Sequence, residues 1–65
     1  MGLRKMFQLR IDAKMTQGQL SNLIGVSQER LSYIECGLED SDNDTLERLA
    51  NVLKSTPEEL MEELK

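Results

Sequence analysis

Between Ser27 and Gly37 the chain reads SQERLSYIECG, and its hydrogen-bonding side chains gather on one side of a helix. With Leu31 set inward at zero and about 100° per residue, Glu29, Ser32, Tyr33 and Cys36 fall between roughly 100° and 200°. Gln28 falls near 60° on the first turn by the same roughly 100° step, away from the inward pair Leu31 and Ile34. Catalysis has little to work with. The chain has no histidine and one cysteine, so a nucleophile–base pair is missing and a zinc site would have one good ligand. A glycine-rich phosphate loop is absent, and Glu58, Glu59, Glu62 and Glu63 read as a solvated helix face. The outward set of Gln28, Glu29, Ser32 and Tyr33 gives and accepts hydrogen bonds, which is the chemistry of recognition. The expectation is a non-enzyme with no metal, no cofactor and no small-molecule substrate.

Five helical blocks must position that face. Leu3, Met6, Phe7, Arg10 and Ile11 form an i, i+3, i+4, i+7, i+8 stripe, predicting a first helix over about residues 3–14 with Phe7 in the core. Thr16 and Gln19 make a capping box for a second helix, with Leu20, Leu23 and Ile24 as its buried stripe. Gly25 suits the left-handed end of that helix, and Ser27 caps a third that Gly37 ends. A fourth starts near Asp42 or Asp44 and buries Leu46, Leu49, Ala50 and Leu53. Thr56-Pro57-Glu58-Glu59 opens a fifth, with Leu60, Met61 and Leu64 as its apolar face. Two helices joined by only Gly25-Val26-Ser27 must cross steeply, leaving one end of the second of them exposed. The fold class is all-α, and residues 1–65 read as a single helix-turn-helix domain.

A 65-residue chain buries a small core, and one cysteine rules out an intrachain disulfide, so capping and a partner subunit are the remaining sources of stability. No membrane span or signal peptide is visible, and a lone thiol suits a cytoplasmic setting. The net charge of −4 conceals a division. Residues 1–30 hold five cations against two acids, a net of +3, and residues 31–65 hold three against ten, a net of −7. Much of that acidity sits at the starts of the fourth and fifth helices, where the macrodipole favours it.

The spacing Thr16-Gln17-x-x-Leu20-Ser21, Gly25-Val26-Ser27, Leu31-Ser32, Glu35 and Gly37 resembles the Cro/lambda-repressor-like (Xre-type) helix-turn-helix family. Leu9-Arg10 before it, Leu46, Leu49 and Ala50 after it, and Thr56-Pro57-Glu58-Glu59-Leu60 at its close extend the likeness over nearly the whole chain. The resemblance implies a five-helix lambda-repressor-like DNA-binding domain. It implies a repressor-like transcriptional regulator that binds a palindromic operator on double-stranded DNA as a homodimer, in a bacterial or phage nucleoid setting. Gln28, Glu29, Ser32 and Tyr33 would then face base edges in the major groove. Glutamine can pair with adenine, glutamate can accept from cytosine, and tyrosine can pack on a thymine methyl. Gln17, Ser27, Lys14 and Arg30 become candidates for phosphate contact, and Arg10 with Glu35 for an ion pair joining the first and third helices. Dimer contacts would fall around Leu53, Ser55, Met61 and Leu64.

Two features depart from the family pattern. Lys14 stands where glycine is common, so it must adopt the left-handed conformation at roughly 1 kcal/mol or the turn must differ. After Gly37 come Leu38, Glu39, Asp40, Ser41 and Asp42 in place of phosphate-gripping cations. These acids would repel a DNA backbone and weaken non-specific binding, with Arg4, Lys5, Lys14 and Arg30 available to offset them. The alternative is the same fold used as a protein-interaction module, an antitoxin, antirepressor or adaptor, with weak or no DNA binding.

Overall fold

The computed structural model describes residues 3–64. Its helices are α1 (Lys5–Asp12), α2 (Gln17–Ile24), α3 (Gln28–Glu35), α4 (Asn43–Leu53) and α5 (Pro57–Leu60). Among the described residues the one β-type pairing is an isolated antiparallel bridge between Arg4 and Glu63. One face of every helix meets a shared core of Met6, Leu20, Ile24, Leu31, Ile34, Leu49, Ala50, Leu53 and Leu60. Leu9, Met15, Val26, Leu46 and Val52 pack against its rim.

Local chemistry sets the boundaries. Thr16 Oγ1 accepts from the Gln19 amide at 3.0 Å, and Gln19 Oε1 accepts from the Thr16 amide at 2.9 Å, which completes the capping box of α2. Gly25 ends α2 at φ 78°, and the Gly25 and Val26 amides both donate to the Ser21 carbonyl. The chain thus turns within three residues, and Ser27 restarts it by accepting from the Arg30 amide at 3.1 Å. Thr56 caps α5 through the Glu59 amide, with Pro57 at its first position. Asp42 is the N-cap of α4 without bonding the first-turn amides. The Thr45 hydroxyl beside it is the main cause holding its carboxyl below the usual value. A depressed carboxyl of this kind stabilises the fold above the ordinary carboxylate range and loses that contribution as pH falls through its lowered value.

Four expectations from the sequence need correction. α1 begins at Lys5, because residues 3 and 4 run extended and pair with the C-terminal segment. The Lys5 amide donates to the Glu62 carbonyl and the Leu64 amide to the Leu3 carbonyl. That exposes Leu3. Phe7 is half-buried, since Met6, Leu9 and Arg10 take the inward arc of α1, and its ring lies 5.4 Å from the Arg10 guanidinium; Ile11 at the far edge is exposed. Leu23 is 60% exposed because the inward arc of α2 centres on Leu20, Ser21 and Ile24. Ser21 fits there by being small and by turning its hydroxyl back to the Gly18 carbonyl. Lastly, α5 stops at Leu60, so Met61 and Leu64 lie beyond it.

Lys14 does take the left-handed conformation, at φ 60°. Lys54, which closes α4, does the same at φ 55° with its amide bonded to the Ala50 carbonyl. A β-carbon at such a position costs about 1–2 kcal/mol, partly offset by the roughly 0.5–1 kcal/mol of chain freedom that glycine gives up on folding. Lys54→Gly should therefore raise stability by up to about 1 kcal/mol, and the melting temperature by up to about 4–8 °C for a domain of this size. Thermal melting followed by circular dichroism checks this; a lower melting temperature would contradict the backbone reading.

Candidate nucleic-acid interface

The site starts inside the molecule. Arg10 on α1 and Glu35 on α3 are both buried. Arg10 Nε donates to Glu35 Oε2 at 2.7 Å and Nη2 to Oε1 at 3.3 Å, a two-pronged pair. Arg10 Nη1 donates to the Met15 carbonyl at 2.8 Å, which fixes the turn between α1 and α2. Gln17 then joins from the first turn of α2, with Nε2 donating to Glu35 Oε1 at 2.9 Å. One carboxylate on α3 thus holds groups from two other helices. Gln17 is half-buried in this network, and its amide retains a second N–H and a carbonyl oxygen for another partner.

Outward from this anchor lies the exposed side of α3. Gln28, Glu29, Arg30 and Tyr33 are exposed and Ser32 is half-buried, while Leu31, Ile34 and Glu35 point inward. Ser27 spends its hydroxyl on the Arg30 amide, so the Gln28 and Glu29 amides have no protein acceptor among the described residues. Gln28 Oε1 comes within 3.5 Å of where a β-carbon on Gly18 would stand, which sets the start of α3 against the start of α2. Gly18, next to Gln17, therefore lies against Gln28 at the start of α3, while the Gln17 side chain reaches Glu35 at its other end. Lys14 stands apart, exposed on the α1–α2 turn, where it borders a shallow groove with Met15, Gln19, Asn22 and Leu23.

The acidic loop after α3 behaves differently from the sequence expectation. Asp40 Oδ1 lies 2.8 Å from Arg4 Nη2, and Glu39 Oε1 lies 3.4 Å from Arg30 Nε. Both carboxylates have intramolecular partners, so they are not bare charges awaiting a backbone. The offsetting cations are correspondingly engaged. Arg4 also donates to the carbonyls of Ile34 and Glu39 and to the Met61 sulfur. Lys5 pairs with Glu59 at 3.1 Å. Among the described residues, Lys14 and Lys54 are the cations with no carboxylate within 4.0 Å.

Family comparison agrees with this geometry: the helix-turn-helix family profile matches residues 6–60. The chain belongs to the Cro/lambda-repressor-like helix-turn-helix family. Members of this family are DNA-binding transcription regulators without enzymatic activity, and the chain is one of them. Among solved structures, the restriction-modification controller protein C.AhdI from Aeromonas hydrophila matches with TM-score 0.78 at 24% identity, over 88% of this chain and 86% of that one. A chain of the SinR–SinI protein complex gives 0.75 at 26% identity, over 86% of this chain and 55% of that one. The hypothetical transcription factor NHTF from Neisseria gives 0.78 at 19% identity, over 91% of this chain and 66% of that one. This helix-turn-helix chain thus spans most of C.AhdI and about half to two-thirds of the other two. No curated protein matches it. Among the described residues no helix is long and apolar enough to cross a membrane.

Several residues of this helix-turn-helix domain carried no signal in the sequence. Arg4 reads as a surface cation, yet its side chain is 12% exposed and ties α3, the acidic loop and the C-terminal segment together. Arg48 bridges α4 to the end of α2 through the Ile24 carbonyl. Of the residues named for dimer contacts, Leu53 is core, Ser55 buries a hydroxyl without a partner among the described residues, Met61 is half-buried beneath Arg4, and Leu64 is half-buried beside Leu3.

Removing one member of a buried pair costs about 3–5 kcal/mol, comparable to the roughly 3–5 kcal/mol that a core of this size supplies. Arg10→Ala should therefore be largely unfolded at 25 °C by far-ultraviolet circular dichroism. The paired change Arg10→Met with Glu35→Leu should recover most of the helix signal. A single variant that melts like the parent would contradict the anchoring role.

Proposed function

We propose that the chain acts as a homodimeric repressor that places α3 in the major groove of a palindromic operator. The carrying observation is that α3 turns a polar, uncovered side outward while a buried carboxylate fixes its inward side against α1 and α2. In this reading Gln28, Glu29, Ser32 and Tyr33 meet base edges. Gln17, the amides that follow Ser27, Lys14 and Arg30 meet phosphates, which set register while the bases set sequence. An α3 of eight residues spans only a few base pairs. Two copies about 34 Å apart along one face of the duplex double the readout and impose the palindrome. Residues 1–65 then function as one domain, at work on the nucleoid of a bacterium or of a phage-infected cell.

The adaptor reading drew its support from the acidic loop. That support weakens once Glu39 and Asp40 have arginine partners within the chain.

Selection of bound sites from random duplexes supplies the operator. On it, Gln28→Ala and Tyr33→Ala should each weaken binding by about 1–3 kcal/mol with an unchanged helix signal. Mobility shift measures both. Two variants that bind like the parent would remove α3 from the recognition surface, and a selected site without two-fold symmetry would remove the homodimer.

A further inference from the structure

The two arginine–acid pairs of the loop are built in opposite ways. Arg4 is wired to two carbonyls and a sulfur besides Asp40, and its side chain is nearly enclosed. It cannot leave without unpicking the end of α3. Arg30 touches Glu39 through one contact at 3.4 Å, and both side chains are about two-fifths exposed. That pair can open at little expense, because exposed ion pairs are worth about 0–1 kcal/mol. Arg30 also sits on α3, two and three residues from Ser32 and Tyr33 and beside the free amides of the first turn.

We propose that Glu39 is an intramolecular competitor for the DNA backbone, limiting affinity by occupying the Arg30 guanidinium that a phosphate would otherwise take. The proposal rests on the DNA-facing reading of α3 and deepens it. Carboxylate and phosphate oxygens draw on the same guanidinium N–H groups, and Glu39 meets Arg30 at Nε, so a phosphate approaching that side must displace it. While Glu39 holds Arg30, the pair presents no net charge to the duplex and releases no counterion. Bulk DNA, which is gripped only through phosphates, is then held weakly. Binding rests instead on the base-facing residues, in a chain whose other cations are mostly committed internally. The charge of Arg30 also reaches Asp42, but Glu39 is the carboxylate within 4.0 Å of it.

The test compares the parent, Glu39→Gln, Asp40→Asn, Arg30→Ala and the Arg30→Ala/Glu39→Gln double variant. Each is titrated onto the selected operator and onto a random duplex at 50 and 200 mM salt, with thermal melting to verify folding. Glu39→Gln should bind both duplexes more tightly and steepen the salt slope by about 0.9, so its advantage at low salt exceeds that at high salt about 3.5-fold. Asp40→Asn should leave the slope unchanged because Arg4 stays pinned. Within the Arg30→Ala background, Glu39→Gln should add nothing. An unchanged slope for Glu39→Gln, the same gain in the Arg30→Ala background, or a gain on the operator alone would each overturn the proposal. A parent that binds neither duplex would instead overturn the DNA reading itself, and this proposal with it.

Discussion

The angle of α3 is set by one carboxylate. Glu35 closes α3, and its two oxygens take Arg10 from α1 and Gln17 from α2 in a space almost without solvent. The apolar core by itself would tolerate α3 rotated or shifted by a fraction of a turn, since apolar contacts carry little direction. A two-pronged ion pair does not tolerate it. Replacing such a pair with apolar residues is often neutral or stabilising for a fold, so its value here lies in geometry. It ties the amide end of α2, the outward side of α3 and the last residues of α1 into a single rigid frame.

That frame is consistent with an acidic chain carrying the DNA-facing surface proposed for α3. Net charge describes the whole molecule, but a duplex meets one side of it. Many of the acids sit at helix starts or in pairs with Arg4, Lys5, Arg30 and Arg48. What remains exposed at the start of α3 is Gln28, Glu29, Arg30 and two free amides, with Lys14 apart on the α1–α2 turn. On the proposed reading, such a surface grips phosphate weakly and relies on base edges. Sequence-blind attraction grows with the number of phosphates neutralised, whereas discrimination grows with paired base edges.

Much of this was legible in the chain because the signals were local. Thr16 with Gln19, Gly25, Ser27, and Thr56 with Pro57 each act within four residues, and each ends or starts a helix where the sequence indicated. The Arg10–Glu35 pairing spans 25 residues and was reachable only through the family resemblance. Illegible features were those decided by tertiary neighbours. Leu23 has the right type and nearly the right spacing for the core, but the inward arc of α2 turns toward Ser21. Glu39 and Asp40 looked unpaired because their partners lie 9 and 36 residues away. Lys54 occupies a left-handed position that composition gives no reason to suspect; it lets the Ser55 amide turn back to the Ala50 carbonyl at 2.9 Å and close α4.

On the proposed function, α3, oriented by Glu35, is the surface that meets DNA. The most direct measurement is an amide correlation spectrum of isotope-labelled protein, titrated with the duplex it selects. The largest shifts should fall on Gln17, on Ser27 through Arg30, and on Ser32 and Tyr33, with the Gln17 side-chain amide moving as well. Shifts confined to α4 and α5, with the α3 signals unmoved, would contradict it.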